Sequence, residues 1–289
     1  MLHLTTDVLN SSCRRLLRFD TDANNRLATN IPIMFSSLDE AHHVLADIRT
    51  EGVRAVQDAF VGSQSNITHP AVEKVTLAIA CSTVMVRLKQ WDQALETFKT
   101  TMGHVSDPLE LEALHMLKLH PILVKLSFSI DPIKSLSDET LWDAFTPQFE
   151  AAVGHAAAAM EIQSMSRSRL PIFRMDSGVI LSLYFMALKC RQHVTRMRAV
   201  ELLKKYPRHE GMWNSMLTAR VAEKLIALEE EGLQGKNGVG LEPDDVPAWK
   251  RVNIVQAKFA TEGRSAILMY KRSASKDSAA VWVEELIEW

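Results

Sequence analysis

The sequence predicts an all-α protein: an array of antiparallel helices and helical hairpins, closed by a small C-terminal β element. Three observations carry this. Apolar residues recur at three- and four-residue steps through most of the 289 residues, as a helix with one buried face requires. Ser, Asp, Pro and Gly stand where such runs begin and end. Beyond Leu233 the composition changes, from QGKNGVGLEPDDVP to the β-branched runs VNIVQAKF and AILMY.

Taken in order, Leu9, Cys13, Leu16 and Leu17 share a face opposite Arg14, Arg15 and Arg18, and NNRLATNIPIMF reads as a loop. Ser37 and Glu40 have capping-box spacing, with Leu38, Ala41, Leu45 and Ile48 following as a stripe that can run through Gly52 to Phe60. Pro70 suits a first helical turn. From it Val72, Val75, Ile79 and Val86 continue, and Trp91, Leu95, Phe98 and Met102 follow; the pattern reads as two short antiparallel helices in the style of a tetratricopeptide hairpin, without a fixed repeat. Ser106, Asp107 and Pro108 start a further helix, which Pro121 is expected to kink or end. Ser137 caps the next, with Leu141, Trp142 and Phe145, and Pro147 opens one carrying Phe149, Val153 and Met160. SMSRSRLPIF reads as a loop, and SGVILSLYFMALKC as a helix apolar all round, hence central.

The stretch from Leu188 to Leu233 is dense in Arg and Lys. Val194, Met197, Val200 and Leu203 keep one face, whereas Arg191, Arg198, Glu201 and Lys205 fall elsewhere, so most of these charges are expected on a solvated face. Pro207 ends that helix. Trp213, Leu217, Val221, Leu225 and Leu228 build the next, with Trp213 expected as a core anchor and Gly232 as a left-handed cap. Arg220 lies beside the apolar stripe and needs a carboxylate or carbonyl partner there. A hairpin and a possible third strand, VWVEELIEW, close the chain. The expected division is an N-terminal helix and loop over 1–35, a helical domain over 36–233, a connection over 234–248, and a β element over 249–289 packed on the helices.

Composition bounds function. With 33 basic and 35 acidic side chains the net charge is -2, so no global field draws the chain to nucleic acid. Cys13, Cys81 and Cys190 are too dispersed for a cysteine-rich zinc module and read as reduced thiols of an intracellular protein. No apolar run approaches the roughly 20 residues that span a bilayer. Glu40-Ala-His-His43 and Glu112-Ala-Leu-His115 carry the Glu-x-x-His spacing of helical di-iron sites, but the composition yields that spacing by chance. No phosphate loop or nucleophile elbow is present. No cofactor, metal or catalytic residue is therefore expected.

The run RAVELLKKYPRHEGMWNSMLTARVAEKLIALEEEGL, following LYFMALKCR, resembles the C-terminal half of fungal binuclear zinc-cluster transcription factors. The matching positions include Ala199, Leu202, Leu203, Pro207, Arg208, Glu210, Gly211, Trp213, Ser215, Ala219, Arg220, Ala222, Glu230 and Gly232, with Trp249, Tyr270 and Trp289 beyond. Most of these signature positions are expected to be structural; Tyr184, Arg208 and Arg220 are the candidates for ligand or partner contact. The resemblance implies transcription regulation in the nucleus, by a region downstream of the DNA-binding part. Family members carry six zinc-binding cysteines in that part, and this sequence does not show them. Three readings stay open: a fragment of a longer regulator, a regulator acting through a full-length relative or as a homodimer, or a helical scaffold turned to metal-independent catalysis or ligand binding in secondary metabolism.

Overall fold

The computed structural model describes residues 31–64, 70–103, 105–131, 134–136, 138–166, 172–174, 178–211, 213–235, 240–252, 255–259, 265–273 and 275–288. Seven α-helices dominate these residues: α1 Leu38–Gln64, α2 Pro70–Met102, α3 Pro108–Ser129, α4 Thr146–Ser166, α5 Val179–Lys189, α6 His193–Lys205 and α7 Ser215–Glu230. The strands are short: β1 Ile172–Arg174, β2 Arg208–Glu210 and β3 Trp213–Asn214, then β4 Val255–Phe259, β5 Ser265–Arg272 and β6 Val281–Glu288. The all-α expectation with a C-terminal β element is met, the third strand included. The helix expected around Leu9–Leu17 lies outside the described residues.

The chain forms two compact units. One comprises Thr29–Ser135 with Pro147–Leu170, and the other includes Leu136–Thr146 with Pro171–Trp289. In the first, α1 begins with half of the expected capping box. Ser37 Oγ accepts the Glu40 backbone N–H at 3.1 Å, while the Glu40 carboxylate turns to the Ser36 N–H and hydroxyl, which hold its pKa below the usual carboxylate range. Ala41, Leu45 and Ile48 are buried with Phe35, Val84, Leu88, Trp91 and Leu95 in one core, and the helix does pass through Gly52. Trp91 is fully enclosed and donates its indole N–H to the Ala41 carbonyl at 2.7 Å.

Pro70–Met102 is one continuous helix rather than the expected hairpin of two short helices, and two further expectations need correction in this unit. Val75, Ile79 and Val86 are exposed, and α2 instead buries Leu77, Val84, Leu88, Trp91 and Leu95; the Val72 side chain lies outside the described residues. A 33-residue helix with apolar residues on two faces leaves its period unable to choose between them. Pro121 does not end a helix, because α3 continues to Ser129 with Pro121 buried inside it. Packing of the flanking turns offsets the one lost backbone bond.

In the second unit α5, α6 and α7 pack on one another, and α5 is central as expected, burying Val179, Ile180, Leu183, Met186 and Ala187. SMSRSRLPIF is not wholly a loop: β1 pairs in parallel with β2, Ile172 beside Arg208 and Arg174 beside Glu210, and β3 completes the sheet antiparallel. Three residues are too few to announce a strand by alternation. Ahead of α4, the segment Glu139–Phe145 forms a 3-10 helix rather than an α-helix, capped by Asp138, whose carboxylate accepts the Thr140 N–H; Ser137 lies outside the described residues. The C-terminal sheet runs β4-β5-β6, antiparallel throughout. Its inner face presents Leu268 and Tyr270 to Leu217, Val221 and Leu225 of α7. Lys224 on that helix reaches Glu285 of β6 at 2.7 Å.

Candidate functional site

The residues of the 207–233 stretch form a turn that grips a neighbouring helix. Pro207 ends the backbone run from α6, and Gly211 turns the chain at φ 56 between β2 and β3. Ser215 is buried and its hydroxyl accepts the Arg208 N–H at 3.0 Å, while Asn214 caps α7 by accepting the Leu217 N–H at 3.0 Å. Glu210 points at the first turn of α5. Its two carboxylate oxygens accept the Val179 and Ile180 N–H groups at 3.1 and 2.8 Å, where the helix dipole favours negative charge. A Cβ at Gly178 would lie 2.7 Å from that carboxylate, so the close approach depends on glycine there. Gly232 has φ 72 and the Leu233 N–H returns to the Glu230 carbonyl at 3.0 Å, the expected helix stop.

Glu210 thus acts as a cap supplied from 31 residues away. We expect Glu210→Ala to destabilise the protein by about 2 kcal/mol, since it orphans two buried N–H groups. Glu210→Gln, which keeps one good acceptor, should cost less. Urea unfolding of the two variants side by side measures this, and equal midpoints for wild type and alanine would exclude the role.

Each candidate contact residue has local partners. Tyr184 sits 5.8 Å from the Trp213 ring and packs on the α7–sheet core, where burial pushes its phenol pKa well above the ordinary value. Trp213 is half-buried on β3 rather than a fully enclosed anchor. Arg208 is buried, its Nε donating to the Tyr206 carbonyl at 3.4 Å and its Nη1 lying 3.8 Å from Glu210. Arg220 finds the carboxylate that its sequence position called for in Glu223, 3.5 Å away and one turn along, but at the surface: its side chain is 52% exposed.

The expectation of a mostly solvated basic face also needs correction. Arg198 and Lys205 are exposed, but Arg191 and Arg196 are fully buried, and Val194, expected inside, is exposed. The buried arginines converge on Glu229 at the end of α7, which accepts from Arg191 at 2.9 Å, from Arg196 at 2.8 Å and from the Val252 N–H at 2.8 Å. Glu139 joins from the 3-10 helix, accepting from Arg191 at 3.0 Å and from Lys189 at 2.6 Å. Glu230 completes the edge, meeting His193 at 2.7 Å and Arg196 at 3.5 Å. Burial alone would raise the Glu229 carboxyl, but the two guanidinium charges and their hydrogen bonds outweigh it and hold the group at about 2. Arg191, penalised by the same burial, is driven above the ordinary arginine value by Glu229 and Glu139. Arg251 makes a second buried knot: it is bidentate to Asp143 at 2.7 and 2.8 Å and also donates to the Val246, Glu139 and Pro243 carbonyls.

These knots are structural in chemistry. Every charge is matched, and a paired guanidinium offers neither acid nor base near neutral pH. The Glu-x-x-His pairs do not converge either. Glu40 serves Ser36, and the His43 ring bonds the Asp39 carbonyl. Glu112 accepts from Gln163, and His115 meets the His155 ring at 3.2 Å. Among the described residues no three His, Cys, Asp or Glu stand together as a metal-binding group. The groove along α2, about 470 Å³, is open and lined from that helix alone by residues such as Val75, Ile79 and Val86.

Over 117 residues, 40% of its length, the chain is 30% identical to the aspercryptin biosynthesis cluster-specific transcription regulator of Emericella nidulans. The matched region is 18% of that protein, so this chain corresponds to a minor part of it. No protein-family model and no solved structure matches the chain. The likeness supports a regulator-like role. No helix among the described residues is long and apolar enough to cross a membrane.

Proposed function

We propose that this chain is a regulatory module of the fungal zinc-cluster transcription factor kind, working in the nucleus through contacts with other proteins rather than by reading DNA itself. The likeness to a cluster-specific transcription regulator carries the reading. The site chemistry supports it. The signature residues Arg208, Glu210 and Ser215 are spent on holding the fold, and the charged groups around Glu229 and Arg251 neutralise one another, which suits a rigid presenting surface better than a reaction centre. A near-neutral net charge of -2 gives no electrostatic drive toward DNA. The partner in this reading is a full-length relative or another component of the transcription machinery, whose activity the module raises or blocks by mass action.

Deleting the gene should change transcript levels of a defined set of genes, and expressing the chain from another locus should restore them. Level transcripts with a single accumulating metabolite, converted by purified protein, would refute regulation and establish an enzyme.

A further inference from the structure

We propose that β6 is a docking edge for an extended, basic peptide segment of a partner protein, which adds to the C-terminal sheet as a further strand. The inference rests on the reading above only in taking the partner to be a protein. The sheet order β4-β5-β6 leaves β6, eight residues long, at an edge with no neighbour among the described residues. Such an edge offers a row of backbone donors and acceptors to any extended chain. Proteins usually blunt edges of this length with charge, lysine above all, with proline or with a bulge; VWVEELIE contains neither lysine nor proline, and its charges are the carboxylates of Glu284, Glu285 and Glu288, which oppose an acidic strand and favour a basic one. Its pairing with β5 is continuous over eight residues without a bulge.

The side chains define what would bind. Alternation puts Val283, Glu285 and Ile287 toward α7, where Val283 and Ile287 join the core and Glu285 is held by Lys224. Trp282, Glu284 and Leu286 point the other way. Trp282 is 41% exposed and Leu286 is 61% exposed, and Leu286 stands opposite the exposed Ile267 on β5. The outer row of the edge strand therefore reads apolar, acidic, apolar. An incoming strand that matches it carries apolar, basic, apolar residues at alternate positions.

Charge separates this partner from a second copy of the chain. In an antiparallel pair of β6 strands, the register that sets Trp282 on Leu286 also sets Glu284 against Glu284, and a parallel in-register pair does the same. Like charges directly opposite oppose pairing, whereas a Lys or Arg opposite Glu284 favours it.

The probe is a capped heptapeptide alternating threonine with valine, lysine and valine, fluorescein-labelled and titrated with the full chain by anisotropy. Binding is expected, weakened about tenfold by Glu284→Lys. Replacing the peptide lysine by glutamate should weaken binding to the wild type and restore it to Glu284→Lys. Methylating alternate backbone nitrogens of the peptide should abolish binding when those facing β6 are blocked. Affinity indifferent to Glu284→Lys and to backbone methylation, or no binding at all, would overturn the proposal. So would sedimentation showing that β6 pairs two copies of the chain. A regulator that still shifts transcripts with an inert β6 edge would lose this surface and keep its function; peptide binding without any transcript effect would do the reverse.

Discussion

Glu229→Gln lowers the thermal midpoint by on the order of 10 °C, the largest effect expected in the unit built on α5 to α7. Two guanidiniums with no exposed surface meet at this carboxylate, and the amide that replaces it carries no charge and only one acceptor oxygen. Breaking a buried pair by removing one partner costs roughly 3–5 kcal/mol, because the remaining charge stays buried. Arg196 suffers most, since its remaining carboxylate, Glu230, lies at 3.5 Å, whereas Arg191 keeps Glu139 at 3.0 Å. The pH dependence supplies the sign. Glu229 titrates near 2 in the folded protein against an ordinary 4.5, so its contribution, about 3 kcal/mol, is complete above pH 4.5 and is lost as pH falls toward 2. The gap between wild type and variant should thus be widest near neutrality and should narrow in acid. Urea titrations at pH 7 and pH 3 measure both gaps. A gap of equal size at the two values would show that the carboxylate charge is not what holds the cluster.

Trp91→Ala is the corresponding loss in the other unit, expected at about 4 kcal/mol. The side chain has no exposed surface, its ring lies 6.0 Å from Phe35, and its indole N–H satisfies a carbonyl of α1. Truncation leaves both a cavity and an orphaned acceptor. Trp91→Phe keeps much of the ring volume and loses the hydrogen bond, and should cost about half as much. Hydrogen exchange should place the loosening in α1 and α2. An alanine variant with native protection there would mean that the core closes over the missing ring.

The helices were legible in the sequence wherever one face alone was apolar. Ala41, Leu45 and Ile48 behind the Ser37 cap, and Leu217, Val221 and Leu225 before the Gly232 stop, went where their period sent them. On α2 the period was ambiguous, because Val75, Ile79 and Val86 form a stripe as regular as the one that is buried. The ion-pair knots could not be read at all. Arg196 and Arg198 are both arginines two positions apart on one helix, and what separates them is Glu229, 33 residues from Arg196 in sequence. Local spacing carries no information about such a partner. Glu210 stands within the sequence motif, but its task, closing the start of a helix 31 residues earlier, appears only once β2 lies beside that helix. Arg251 gave no signal, since a lone arginine after Trp249 looks like any surface residue.

The bidentate bond from Arg251 to Asp143 joins residues 108 positions apart. On a ribosome adding about 5–20 residues per second, Asp143 therefore waits roughly 5–20 s for its partner to be made. In that interval the chain lays down α4, which is assigned to the other unit, and then α5 to α7. Nascent chains stalled before residue 251 should accordingly be degraded by added protease in the Glu139–Phe145 segment, and chains stalled beyond the exit tunnel with residue 251 free should resist. Slowing synthesis between these two points by codon choice should lengthen the exposure of that segment and lower the yield of native protein.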